Sequence, residues 1–134
     1  MNSQTTTTVD AIGQMHFEGN IIPMEWFKHI RFENGKPDII SINILADIIY
    51  WYKPNVIDNK YIKKFKTDIL QRNYQYYASL FGITKYRVSR ALKHLESLGL
   101  IRTMTSRAIL GPNVQFIEPV PDALKAITYP GETL

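Results

Sequence analysis

The sequence contains no cysteine, and this absence excludes disulfide bonds, thiolate zinc sites, iron–sulfur clusters and cysteine nucleophiles at once. It is compatible with a reducing compartment. No run reaches the roughly 18 apolar residues that a membrane helix needs. The first ten residues have neither the basic start nor the apolar centre of a signal peptide. We therefore expect a cytoplasmic protein with no membrane partner.

Motifs that carry catalysis are also missing. The chain has no Gly-rich phosphate loop, no paired-carboxylate setting and no nucleophile motif. Its histidines, His16, His29 and His94, do not follow the spacing of metal ligands. We therefore expect no enzyme, no cofactor and no metal site.

The chain has enough apolar residues for one core. It has 134 residues, of which 45% are hydrophobic and 21% are charged. A chain of this length forms one domain and buries roughly two-thirds of its unfolded surface. Residues 1–13 are polar and without periodicity, so we expect a disordered tail there, followed by one domain over residues 14–134.

Acidic residues are scarce in one part of the sequence. The formal net charge is only +4, but residues 60–107 contain eleven basic and two acidic residues, a net charge of +9. The remainder has five basic and ten acidic residues, a net charge of −5. This asymmetry indicates a surface for a polyanion, with a solvated basic face as the alternative.

The N-terminal half of the domain shows helical apolar spacing. A short helix is expected around Trp26, with Pro23 in its first turn, and a strongly apolar helix over residues 41–52. A helix this apolar is either central to the core or shared with a partner chain. Residues 55–66 read as a polar, basic connection whose lysines are solvated or contact a DNA backbone, and a short strand follows near Leu70.

A more regular pattern begins at Asn73, which suits the N-cap of a helix ending before Gly82. Thr84 caps the next helix, over residues 85–98. An apolar stripe with helical spacing follows this helix, at Val88, Ala91, Leu92, Leu95 and Leu98. Residues 100–106 and 114–118 suit two strands joined by a turn.

Residues 77–101, YASLFGITKYRVSRALKHLESLGLI, closely resemble the winged helix-turn-helix family. A small residue where the helices touch (Ala78), a glycine in the turn (Gly82) and a buried elbow residue (Ile83) fit the demands of that fold. The resemblance implies an α+β, mainly α, domain with a helix-turn-helix core over residues 73–101, a β-hairpin wing over residues 101–118 and extra N-terminal helices.

The polar face of the second helix favours DNA binding. In DNA readers, the first residues of this helix meet base edges and flanking groups hold phosphates. Arginine is the commonest specific ligand of guanine. The expected contacts to double-stranded DNA are Thr84, Lys85, Tyr86, Arg87, Ser89, Arg90, Lys93, and the wing residues Arg102 and Arg107. The alternative is a winged helix that binds only proteins.

The region ahead of Asn73 resembles one group of winged-helix proteins in particular. FEGNIIP at residues 17–23, Trp26-Phe27, NGKPD at residues 34–38 and the helix ending Tyr50-Trp51-Tyr52 resemble the N-terminal domains of phage and plasmid replication proteins, DnaD-type and replisome-organiser proteins among them. The resemblance implies a nucleoid-associated role at a replication start, with replisome proteins as further partners. A phage-type or MarR-like transcriptional repressor is the alternative.

The extent of the protein and the role of its apolar N-terminal residues each have two interpretations. Such proteins often carry a second, C-terminal domain, whereas this chain ends at Leu134, so it is either a domain of a longer protein or a stand-alone regulator. Many winged helices act as homodimers on palindromic sites. The apolar residues Trp26, Phe27, Ile48, Ile49 and Trp51 either supply such an interface or complete the core.

Overall fold

The computed structural model of the protein describes residues 6–105 and 114–132. Over these residues the chain is α+β and mainly α. Its six helices are α1 (Thr7–Gly13), α2 (Trp26–His29), α3 (Ile39–Tyr52), α4 (Tyr74–Phe81), α5 (Lys85–Ser97) and α6 (Pro121–Thr128). Its five strands are β1 (Asn55–Ile57), β2 (Lys60–Ile62), β3 (Leu70–Asn73), β4 (Ile101–Thr105) and β5 (Val114–Pro119).

The strands form two small antiparallel sheets. Strands β1 and β2 make a two-stranded hairpin, and the other sheet has the order β3-β5-β4. In this second sheet Leu70 is paired with Ile117, and Ile101 with Pro119. The two strands expected as a wing are therefore present as β4 and β5, and the short strand expected near Leu70 pairs with β5. The connection between β4 and β5 lies outside the described residues.

Helix α3 is central to the core. Seven of its residues are buried, in a nearly continuous run: Ser41, Ile42, Ile44, Leu45, Ala46, Asp47 and Ile48. The phenol of Tyr52, at the end of α3, donates to the carbonyl of Ile117 at 2.6 Å and accepts from the backbone N–H of Leu70 at 3.0 Å. These two hydrogen bonds fix α3 on the neighbouring strands β3 and β5.

The N-terminal apolar residues complete the same core. Trp26 and Ile48 are buried, and Phe27, Ile49 and Trp51 are half-buried against them. The indole of Trp26 also donates to the Thr128 hydroxyl at 2.9 Å, which ties α2 to α6. Of the two readings of these residues, core and dimer interface, the packing supports the core.

The disorder expected over residues 1–13 is wrong for Thr7–Gly13, which forms α1. The hydroxyl of Thr6 accepts from the backbone N–H of Val9 at 3.2 Å and so caps the helix. A threonine with this capping role was present in the sequence, but the stretch buries no side chain and therefore has no apolar periodicity. Residues 1–5 lie outside the described part of the chain.

The plain connection expected over residues 55–66 is also wrong, because it contains the β1–β2 hairpin. Asp58 and Asn59 have φ angles of 52° and 64°, the left-handed backbone of a tight two-residue hairpin turn. Asp and Asn tolerate this conformation better than other non-glycine residues. The apolar pairs Val56-Ile57 and Tyr61-Ile62 flank the turn and are the signal that the polar, basic composition of the segment concealed.

Candidate nucleic-acid interface

Helices α4 and α5 are joined as the sequence predicts. The Asn73 side chain accepts from the backbone N–H of Tyr76 at 2.8 Å and caps α4. Gly82 ends α4 with φ 65° and ψ 40°, a left-handed conformation that favours glycine. The N–H of Ile83 then donates to the carbonyl of Ala78 at 3.0 Å. Ala78 is buried, as expected where the two helices meet.

The two faces of α5 differ in burial and in charge. Val88, Ala91, Leu92 and Leu95 are buried and hold the helix on α3 and α4. The opposite face is solvent-exposed, apart from the half-buried Ser89, and carries most of the candidate DNA contacts: Thr84, Lys85, Tyr86, Arg87, Ser89, Arg90 and Lys93. The hydroxyl of Thr84 accepts from the N–H of Arg87 at 3.2 Å, so its oxygen already caps the helix.

The exposed face of α5 forms one wall of an open groove. Thr84, Tyr86, Arg87, Ser89, Arg90 and Lys93 line this groove, and the loop at residues 31–34 lines the other side. Lys85 is exposed but is not part of the groove lining. The structure therefore brings six of the nine predicted contact residues to one concave surface, together with Arg31, which the sequence argument missed.

Arg90 and Tyr86 interact one helical turn apart. The guanidinium of Arg90 donates to the Tyr86 hydroxyl at 3.1 Å and lies 5.7 Å from the centre of the Tyr86 ring. The hydrogen bond with Tyr86 raises the pKa of Arg90, so its positive charge is retained throughout the accessible pH range. In contrast, no side-chain hydrogen bond or ion pair within the described chain engages Lys85, Arg87 or Lys93.

His94 is not the solvent-exposed residue that the sequence predicts. Its Nδ1 lies 2.6 Å from the Asp38 carboxylate, and its ring stacks on Phe32 with the two ring centres 5.7 Å apart. Asp38 also caps α3 by accepting from the N–H of Ser41 at 3.1 Å. Asp38 and His94 are 56 residues apart, so the sequence offered no local signal for this contact.

Glu96, three residues after Lys93, contacts β4 instead of pairing with that lysine. The Glu96 carboxylate accepts from the backbone N–H and the hydroxyl of Thr103, both at 3.1 Å. These bonds connect the last turn of α5 to β4. Lys93 lines the groove without an ion pair to Glu96.

Of the two predicted wing contacts, only Arg102 lies within the described residues, and it stands apart from this groove. Arg102 is exposed but sits at the base of β4, opposite Glu118 of β5. It lines a different groove, which also contains Lys53, Pro54 and Leu124. The structure therefore does not bring Arg102 together with the residues of α5. Arg107 lies outside the described residues.

A buried polar cluster lies beneath α4. Tyr77 is fully buried, whereas Tyr76 is partly exposed and Tyr74 is half-buried. The three tyrosines therefore divide between the core and the surface. Burial and the neighbouring Asp47 carboxylate raise the pKa of Tyr77 well above its ordinary range. The Arg72 guanidinium packs against the rings of Trp51 and Tyr76, at 5.0 Å and 4.3 Å from their centres.

Two kinds of feature are absent from the described residues: a group of side chains that could hold a metal ion and a helix that could span a membrane. No group of three or more His, Cys, Asp or Glu side chains there is arranged to hold a metal ion. No helix in residues 6–105 or 114–132 is long and apolar enough to cross a membrane.

Comparison with protein-family models, with curated proteins and with solved structures finds no match for this chain.

Proposed function

We propose that the protein is a winged helix-turn-helix domain that binds double-stranded DNA in a sequence-specific manner. In this proposal α4 and α5 are the helix-turn-helix, α5 enters the major groove, and the β4–β5 hairpin is the wing. The capped α4, the left-handed Gly82 and the antiparallel strands that follow α5 support this assignment.

One observation carries the proposal. The solvent face of α5 presents Arg87, Arg90 and Lys93 in one groove, which Glu33 and Asp38 also line, and Lys85 is exposed outside that groove. Long cationic side chains that serve neither packing nor an internal ion pair are available to phosphates and to guanine edges. A winged helix that only binds proteins has no such requirement on this face.

Within this proposal, the resemblance of the region before Asn73 favours a replication-initiation or replisome-organiser role in a phage or plasmid, with replisome proteins as further partners. A phage-type or MarR-like repressor would use the same chemistry at a promoter. The identity of the neighbouring genes separates the two roles. A replicative helicase gene favours replication, and a divergent promoter favours repression.

The salt dependence of duplex binding tests the proposal. If the basic surface neutralises about 4–6 phosphates, log K falls against log salt with a slope of about −4 to −5. Fluorescence anisotropy with a labelled random duplex at low salt, followed by a salt titration, measures this slope. Absence of duplex binding at low salt would overturn the proposal and favour a protein-docking module, and a slope near zero with binding intact would show that the basic surface is not the contact.

A further inference from the structure

We propose that the β1–β2 hairpin is a second DNA-binding arm, which contacts the duplex beside the site occupied by α5 through Lys60, Lys66 and Tyr61. The inference rests on the proposed function and adds a surface that lies outside the helix-turn-helix and its wing. Residues 53–66 contain five lysines and one acidic residue, a net charge of +4. A surface with this charge is complementary to a polyanion.

The hairpin is exposed on both faces. All six of its strand residues are solvent-exposed. Val56 pairs with Tyr61 on one face of the ribbon, and Ile57 pairs with Lys60 on the other, because successive side chains alternate between the two faces. One face is therefore apolar and aromatic, and the opposite face carries a lysine beside an apolar residue. The exposed fraction reaches 81% for Tyr61 and 64% for Val56. A two-stranded hairpin alone in water is marginally stable, so this apolar exposure indicates a surface that is completed by a ligand.

The combination of apolar and basic side chains favours DNA over a protein as that ligand. Elements that lie in the minor groove pair lysine or arginine with apolar side chains that contact the sugars or the base steps. An apolar protein partner would account for Val56 and Tyr61 but not for the excess of lysine around them. We therefore assign the lysines to phosphates and Tyr61 to the groove wall.

The base of the hairpin is fixed to the end of α3. Lys64 Nζ donates to the carbonyl of Tyr50 at 2.9 Å and lies 3.7 Å from the centre of its ring. Phe65 packs edge-on against Tyr52, with ring centres 4.9 Å apart. Lys63 donates to the carbonyl of Thr67 at 2.6 Å. Lys64 thus ties the arm to α3, Lys63 is engaged within its own segment, and Lys53 lines the groove that contains Arg102. Of the five lysines, Lys60 and Lys66 remain for DNA.

The anchor places the arm next to the helix-turn-helix. Trp51 is the neighbour of the anchoring Tyr50 and contacts Arg72, whose guanidinium also packs on Tyr76 in the first turn of α4. In helix-turn-helix complexes the first helix, here α4, crosses the DNA backbone. A series of side-chain contacts thus connects the base of the hairpin to α4, the helix that the proposed function places across the DNA backbone.

The test compares variants of the full chain on one duplex that is long enough to extend beyond the α5 site. Replacing Lys60 and Lys66 together by glutamine removes two phosphate contacts, so the salt slope becomes less negative by about 2 and affinity falls on the order of tenfold. Tyr61→Ser weakens binding several-fold without changing the slope, because it removes no charge. Hydroxyl-radical footprinting of the lysine variant loses protection at one flank and keeps the central protection.

Lys125→Gln is the matched control, because it removes an exposed lysine on α6 and should leave slope, affinity and footprint unchanged. Melting temperatures equal to the parent establish that each variant folds. If Arg87→Ala weakens binding while the Lys60/Lys66 variant or Tyr61→Ser binds like the parent, the arm is overturned and the proposed function stands. If the parent does not bind duplex DNA at all, both proposals fail.

Discussion

His94 Nδ1 lies 2.6 Å from the carboxylate of Asp38, and this contact joins the last turn of α5 to the N-cap of α3. The same carboxylate accepts hydrogen bonds from the backbone N–H and the hydroxyl of Ser41. One buried aspartate therefore caps one helix and orients another, so the tilt of the α5 groove wall depends on how α3 begins.

Removal of this carboxylate should destabilise the fold more than removal of its histidine partner. Asp38→Ala loses the N-cap of α3 and leaves Ser41 and His94 without their acceptor, for a cost of about 2–4 kcal/mol. His94→Ala loses one hydrogen bond and the stack on Phe32, so a cost of about 1–2 kcal/mol is expected. Urea unfolding of both variants and of the double variant measures the two costs and their coupling. Additive costs would contradict a direct interaction between Asp38 and His94.

Arginine substitutions on α5 should separate binding from stability. Arg87→Ala or Arg90→Ala removes exposed charge and little packing, so stability changes by at most about 0.5 kcal/mol, while duplex affinity falls by roughly 1–3 kcal/mol. Leu92→Ala is the control: it leaves a cavity in the core and costs about 2–5 kcal/mol of stability. Each variant needs a melting temperature and a duplex affinity. Normal folding with parent-like DNA binding in both arginine variants would show that α5 does not read DNA.

Tyr77 should make the fold sensitive to alkaline pH. Its folded-state pKa is raised, first by burial and then by Asp47, while the unfolded tyrosine ionises near pH 10. The stabilisation is fully present below that pH and is lost as the pH rises towards the folded value. Tyr77→Phe cannot ionise, so its unfolding free energy should fall less steeply than that of the parent between about pH 9.5 and 11.

The exposed Tyr61 supplies the comparison for this experiment, since Tyr61→Phe removes a hydroxyl without touching the core. Its stability should follow the parent at every pH. The prediction fails if the Tyr77→Phe and parent curves stay parallel through the alkaline range.

DNA binding should involve two copies of the chain. A single domain reads few base pairs, and each good contact supplies only about 1–3 kcal/mol of discrimination. Trp26 and Ile48 are buried in the core, so they are not free to form the interface, and we expect dimerisation to depend on the DNA. Sedimentation of the free chain and of the complex over a range of concentrations measures this. A strict one-to-one complex on every site would contradict it.

Local patterns predicted the second half of the fold well. The caps Asn73 and Thr84, the turn at Gly82 and the stripe from Val88 to Leu95 all act within a few residues of the chain, and the structure confirms them. Leu98, predicted as the last residue of the stripe, is exposed. These signals also put the correct α5 residues on the solvent face. The β1–β2 hairpin was missed because the lysines of the segment outweighed its two apolar pairs, Val56-Ile57 and Tyr61-Ile62, in the composition.

Contacts between distant parts of the chain could not be predicted in this way. The partners of His94 and Glu96 are set by packing of α5 against α3 and β4, not by neighbours in sequence. For Arg102, the position in the sequence suggested a contact that the structure does not support. Its place near the wing in sequence suggested a DNA contact, but the strand register puts it at the base of the hairpin beside Glu118.

Asn73 is both the last residue of β3, paired with Val114, and the N-cap of α4. No residue intervenes between strand and helix, so the junction has no hinge about which β5 and α4 could turn independently. The position of α4 relative to β5 is thus set before any ligand is bound. Under the proposed function, a DNA site that does not match this arrangement would have to bend or twist, so the stiffness of its sequence would contribute to selectivity.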